Sequence, residues 1–167
     1  AADTKVVFDG AAQDFYIGLD DSADDLLIGL GSAVGTTPAI SIDENQDVVA
    51  NQEFRALSYN ETYVAPTSSS NATTIACESG NYFQHTLTEN TTFTFSNPPD
   101  TGTGYSFILK LIQDSSERTV TWPGAVDWAS ATAPTISTGN ADVDFFVFAT
   151  SDGGTIWYGF TAGQDMS

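Results

Sequence analysis

Basic residues are scarce in this sequence: four Lys and Arg stand against 22 Asp and Glu, for a formal charge of −18. Displacing counterions from a phosphate backbone requires clustered Lys and Arg, so the composition disfavours nucleic acid as a partner. Adsorption to an anionic lipid surface is disfavoured for the same reason. No run approaches the ~18 consecutive apolar residues of a membrane helix, so membrane insertion is not expected. Cys77 is the only cysteine, so an intrachain disulfide is impossible. In Thr74-Ile75-Ala76-Cys77-Glu78, alternation puts Ile75 and Cys77 on one strand face, which reads as a small buried hydrophobe rather than a nucleophile. His85 is the only histidine, on the face of Phe83 and Leu87, and reads as a hydrogen-bonded core or interface side chain. A Gly-Xaa-Ser-Xaa-Gly elbow, a phosphate-cradling glycine loop and a zinc constellation are all missing, so no enzymatic role is expected. The chain opens on Ala1-Ala2-Asp3-Thr4-Lys5 without Met or a visible signal peptide, which reads as a fragment or processed product.

What is abundant is acid, Gly, Thr and aromatic side chains. Eleven Phe, six Tyr and three Trp within 41% hydrophobic residues supply enough apolar surface for a folded core. The excess negative charge favours solubility, repels non-specific partners and is compatible with a salt-rich medium, where screening weakens self-repulsion. Short apolar runs separated by Gly, Asn, Asp and Pro point to strands and turns rather than helices.

Texture divides the chain near residue 65. Phe15-Tyr16-Ile17-Gly18-Leu19-Asp20 is echoed eleven positions later by Leu26-Leu27-Ile28-Gly29-Leu30-Gly31. Apolar residues alternate in both copies around the polar Asp21-Ser22-Ala23-Asp24-Asp25, which predicts a β-hairpin. A third strand is expected at Ala39-Ile40-Ser41-Ile42. Such hairpins bury little surface alone and need a partner sheet or chain. The predicted organisation is an N-terminal hairpin/repeat segment over 1–64, a linker over 65–72 around Pro66-Thr67-Ser68-Ser69-Ser70-Asn71, and a C-terminal domain over 73–167.

In the C-terminal part, strands are predicted near 73–78, 82–88, 91–97, 105–114, 118–123, 134–138, 142–150 and 155–161. Their turn signals include Ser79-Gly80-Asn81, Asn97-Pro98-Pro99-Asp100 and Asp152-Gly153-Gly154. Eight short strands of this kind predict an all-β, antiparallel, jelly-roll-like β-sandwich. Two of them are apolar on both faces. Tyr105, Phe107, Leu109 and Leu111 lie opposite Ile108 and Ile112; Val143, Phe145, Val147 and Ala149 lie opposite Phe146 and Phe148. A sheet with one solvated face should alternate cleanly, so the second face requires a cover. In so small a sandwich the expected cover is another copy of the chain, a homo-oligomer.

Candidate sites are sparse. Asp20, Asp21, Asp24 and Asp25 crowd one turn and are the candidate ligands for a hard cation such as Ca²⁺, against the simpler reading of solvated turn aspartates. Asp43-Glu44-Asn45-Gln46-Asp47 begins like an EF-hand loop, but Val48 and Phe54 stand where its glycine and bidentate acid belong. Asp142 and Asp144, two apart on one strand, are a carboxylate pair of the kind glycosidases use, and equally a solvated strand end. Among Trp122, Trp128, Trp157 and Tyr158, Trp128 in the loop-like Val126-Asp127-Trp128-Ala129 is the most open candidate for stacking on a sugar ring; core packing is the competing role for all four.

Several ordered motifs run from about Ala72 to the C-terminus. They are Gly80-Asn81-Tyr82-Phe83, Asn90-Thr91-Thr92-Phe93-Thr94-Phe95-Ser96-Asn97-Pro98-Pro99, Gln113-Asp114, Arg118-Thr119-Val120-Thr121-Trp122-Pro123 and Val126-Asp127-Trp128-Ala129. Ala133-Pro134-Thr135, Asp152-Gly153-Gly154-Thr155 and Trp157-Tyr158-Gly159-Phe160-Thr161-Ala162-Gly163 complete the series. In this order they resemble the C-terminal domain of tail-fibre-like virion structural proteins of marine tailed phages, of the cyanophage type. Phe8-Asp9-Gly10 and Ile17-Gly18-Leu19-Asp20 resemble repeat units that precede such domains. The resemblance implies a virion appendage component, usually trimeric, that touches the host at a receptor or surface glycan. The alternatives are a capsid-decorating or head-fibre protein of the same kind, and a carbohydrate-binding module of a larger secreted protein.

Overall fold

The computed structural model describes residues 2–166, which form two compact units dividing between Tyr59 and Asn60. The N-terminal unit is one antiparallel meander in sequence order: β1 (Thr4–Phe8), β2 (Phe15–Asp20), β3 (Asp25–Leu30), β4 (Pro38–Ile42) and β5 (Val48–Ala50). The predicted hairpin is β2–β3, with Phe15 opposite Leu30, Ile17 opposite Ile28 and Leu19 opposite Leu26. The third predicted strand is β4. Because side chains alternate, this register gathers Phe8, Phe15, Leu30, Val6, Ile17, Ile28, Ile40, Leu19, Leu26, Ile42 and Val48 on one face.

The opposite face is built around two glycines. Tyr16 stands opposite Gly29 and is fully buried; a Cβ on Gly29 would lie 2.5 Å from the Tyr16 hydroxyl and 2.6 Å from the Thr37 carbonyl. Leu27 stands opposite Gly18, where a Cβ would meet Val34 at 2.9 Å. An aromatic ring laid over a cross-strand glycine fills the gap left by the missing side chain. The loop after β3 closes over this face, with Leu30 N–H donating to the Thr37 carbonyl at 3.0 Å. The turn between β2 and β3 is held by Asp20, whose carboxylate accepts from the Ser22 hydroxyl at 2.6 Å and its amide at 3.0 Å.

The C-terminal unit is an all-β sandwich. Its larger sheet has six strands in the order β12 (Val126–Trp128), β14 (Trp157–Met166), β13 (Val143–Thr150), β10 (Tyr105–Gln113), β8 (Tyr82–Leu87) and β6 (Tyr63–Val64). The smaller runs β11 (Val120–Thr121), β9 (Thr91–Ser96), β7 (Ala72–Ala76). From β6 to β12 the chain alternates strictly between the two sheets. Same-sheet neighbours in that run are parallel: β6 with β8, β8 with β10, β7 with β9 and β9 with β11. Only β13 pairs antiparallel, with β10 and β14. The sandwich is thus of mixed pairing rather than the antiparallel jelly-roll type. Turns that carry the chain across the core put consecutive strands in opposite sheets, so every second strand runs the same way.

The core between the sheets is aromatic. Phe107, Phe148, Phe83, Phe146 and Trp157 rise from the larger sheet, and Phe93 with half-buried Phe95 comes down from the smaller one. Phe95 meets Phe148 at 4.9 Å, Phe107 at 5.0 Å and Trp157 at 5.2 Å between ring centroids, all edge-to-face. Residues 134–138, predicted as a strand, are irregular; the Ser137 amide and hydroxyl are instead taken by the buried Asp144 carboxylate at 2.8 and 2.7 Å. Residues 65–72 do not form a free linker. They follow β6 directly and pack on the sandwich, with the Pro66 carbonyl accepting from His85 Nδ1 at 2.8 Å.

Candidate assembly and binding surfaces

The outer face of the six-stranded sheet has no strand of its own unit packed over it among the described residues. Register places Tyr63, Tyr82, Ile108 and Val147 in one row across β6, β8, β10 and β13, and Ile112 beside Val143 in another. Phe145 sits opposite Lys110 between those rows. The interior members of the band are half-buried, while Tyr63 at the edge is exposed. The strands read as apolar on both faces therefore present one face to the aromatic core and the other as an apolar band with Gln84, Ser106 and Thr86 around it. An apolar centre with a polar margin is the anatomy of a protein–protein interface.

At the β12 edge of the same sheet a notch of about 380 Å³ is lined by Asp127, Ser130, Ala131, Tyr158 and Phe160. Ser130 and Ala131 both hold left-handed backbone, at φ 56° and 53°, a conformation that costs a non-glycine residue on the order of 1–2 kcal/mol. Tyr158 and Phe160 are 50% and 55% exposed. Trp128, the sequence-level stacking candidate, is only 9% exposed and belongs to the core, against Trp122, Phe146 and Phe148. The reason is Gly159, its register partner on β14: a Cβ there would lie 2.8 Å from the indole, so the absent side chain is what lets the ring lie down on the sheet. The open aromatics are its neighbours across that glycine, which strand alternation alone marks as pointing the other way.

Asp20, Asp21, Asp24 and Asp25 do not converge on a cation cage. Asp20 is committed to Ser22, and those hydrogen bonds hold its carboxyl below the usual range. Asp24 takes the left-handed position of the turn at φ 60°, and Asp25 pairs with Asp20 across the hairpin. No group of three or more His, Cys, Asp or Glu among the described residues is arranged to hold a metal ion. Asp142 and Asp144 are likewise structural: Asp142 accepts from the Gly139 amide at 2.6 Å, and Asp144 also takes the Asp165 amide at 3.1 Å.

His85 is fully buried with Phe83 and Leu87 on its face. Because the Pro66 carbonyl can only accept, Nδ1 carries the ring proton, and Nε2, 3.0 Å from Ser68 Oγ, accepts from that hydroxyl. Burial pushes its pKa below the ordinary histidine value, with the Pro66 bond partly opposing. The spacing is that of a nucleophile and its base, but Ser68 Oγ also lies within 2.8 Å of Thr73 Oγ1 and 3.1 Å of Thr91 Oγ1. The four side chains form a closed polar knot that fastens residues 65–72 to both sheets. Cys77 is buried, and burial with the adjacent Glu78 pushes its thiol up to about 11.

No model of a known protein family, no curated protein and no solved structure matches this chain.

Proposed function

We propose that the chain is a structural, non-catalytic segment of a fibre-like phage virion appendage that works as a homotrimer and presents its C-terminal sandwich toward a glycan on the bacterial surface. The observation that supports it is the apolar band on the outer face of the six-stranded sheet, which asks for a cover of the same character. A second copy supplies one without bringing acidic surfaces together, because the band's only formal charge is the Lys110 cation. The ordered motifs between Gly80 and Gly163 supply the virion assignment, by likeness to tail-fibre-like proteins of marine phages. Immunogold labelling of intact virions with antibody to residues 73–167 tests the location. Label at the tip of a tail appendage is expected; label over the capsid transfers the reading to a head-decorating protein, and absence of label from virions overturns both.

The notch favours a second reading, a carbohydrate-binding module, because two open aromatic side chains line it together with the acidic Asp127. On either reading, Tyr158→Ala weakens binding to host surface polysaccharide at least tenfold while thermal stability stays unchanged. Equal affinity would remove the notch from the account.

A further inference from the structure

The N-terminal sheet has a solvent-facing side that is apolar from edge to edge. Across β1 to β4, one row reads Val6, Ile17, Ile28, Ile40; the rows flanking it read Phe8, Phe15, Leu30 and Leu19, Leu26, Ile42, Val48. Ten of these residues, all but half-buried Ile42, are between 37% and 66% exposed. The charged residues within the five strands, Lys5, Asp20 and Asp25, all alternate onto the other face. The same unit buries few large side chains internally: Tyr16 and Leu27 are its fully covered apolar residues. A single sheet with so little enclosed surface does not hold together in water without a cover.

We infer that this face is where copies of the chain meet, each sheet closing on the same face of its neighbours around an axis that runs past β3. The inference rests on the homo-oligomeric reading above and assigns it a second contact. Three features select another copy as the occupant. The ten exposed side chains offer on the order of 800 Å² per chain, the share one partner contributes to a standard stable interface and more than the apolar patch of an ordinary monomer. The face carries no charge on a chain of net −18, so it is where two acidic copies approach with least repulsion. Thr4 is the polar residue the described register adds to it, at one corner, so it presents no pattern of donors and acceptors that would specify a different protein. Three such faces also fit one another. Five strands spaced ~4.8 Å apart make a wall about 20–24 Å broad, and three such walls enclose a prism whose centre lies about 6–7 Å from each; side chains reach ~5 Å of that, half the spacing of packed sheets. Leu26, Ile28 and Leu30 on the middle strand then meet along the axis.

The test uses the full chain. Cα atoms of Ile28 in different copies would lie about 10–12 Å apart across the axis, beyond the ~7 Å a disulfide spans. Ile28→Cys is therefore treated with a short bismaleimide and is expected to yield cross-linked pairs on a denaturing gel, with Cys77 too buried to contribute. Ile17→Asp with Ile28→Asp is expected to lower the solution mass and expose the amides of residues 15–42 to hydrogen exchange, with the C-terminal sandwich still protected. An oligomeric parent in which Ile28→Cys gives no cross-link and the double Asp variant keeps its mass and N-terminal protection would overturn this contact while leaving the homotrimer standing on the C-terminal band. A parent that is a single subunit at every concentration overturns both.

Discussion

Trp128→Ala measures directly whether the indole is a binding platform or part of the core. The ring touches Trp122, Phe146 and Phe148 at centroid distances of 5.4 to 6.1 Å and is nearly sealed from solvent. Removing it takes away apolar burial and leaves a cavity between the sheets, and such truncations cost about 3–5 kcal/mol. For a unit of this size that is a fall in Tm on the order of 10–30 °C. The partner substitution sharpens the test. Gly159→Ala places a methyl 2.8 Å from the same ring, an overpacking that costs about 1–3 kcal/mol. In the Trp128→Ala background the obstructing ring is gone, so the methyl enters the space it left and the added cost falls below about 0.5 kcal/mol. Urea denaturation followed by far-UV circular dichroism, at one fixed protein concentration, reads all four corners of the cycle. Additive losses, or a Trp128→Ala loss under about 1 kcal/mol, would refute the packing argument and return the indole to the surface.

The buried histidine gives a pH dependence with a definite sign. Its folded pKa lies below the ordinary value, so the unfolded chain binds the proton first, and stability falls as pH drops below about 6.5. Urea titrations between pH 8 and 5 are expected to show that slope in the parent and a shallower one in His85→Gln. Ser68→Ala leaves Nε2 buried without a donor and is expected to cost about 1–3 kcal/mol by the same assay; a neutral result would dissolve the polar knot. Cys77, its thiol held up to about 11, is expected to resist a thiol reagent at pH 8 until denaturant is added, and prompt labelling of the native protein would contradict its burial. Gly29→Ala drives a methyl against the Tyr16 ring and the Thr37 carbonyl and is expected to raise hydrogen exchange across residues 15–42 without touching the sandwich.

Strand positions were legible wherever alternation was long. The β2–β3 hairpin follows from its eleven-residue echo, although Asp25, read as part of the turn, pairs with Asp20 and sets the register. The two-faced strands β10 and β13 lie at the centre of the larger sheet as their composition requires. Pairing direction was not legible. Turn signals such as Ser79-Gly80-Asn81 mark where a chain reverses, and a reversal across the core looks the same in sequence as one within a sheet. The short strand β12 was hidden because three residues carry no periodicity, and this placed Trp128 in a loop instead of beneath a glycine. The Pro134–Thr138 run misled for the opposite reason: its apolar spacing is strand-like, but its polar groups are spent on Asp144. The open aromatics Tyr158 and Phe160 follow from alternation once Trp157 and Gly159 are known to face inward.

The mass of this 167-residue chain in solution, followed by multi-angle light scattering over a wide concentration range, bears most directly on all of this. Two sheet faces made of Ile, Leu, Val and aromatic side chains require company, so the expected mass is three times the 17.7 kDa of one chain and holds on dilution. A particle of 17.7 kDa at every concentration, with both sheets fully protected from exchange, would contradict the account at its root.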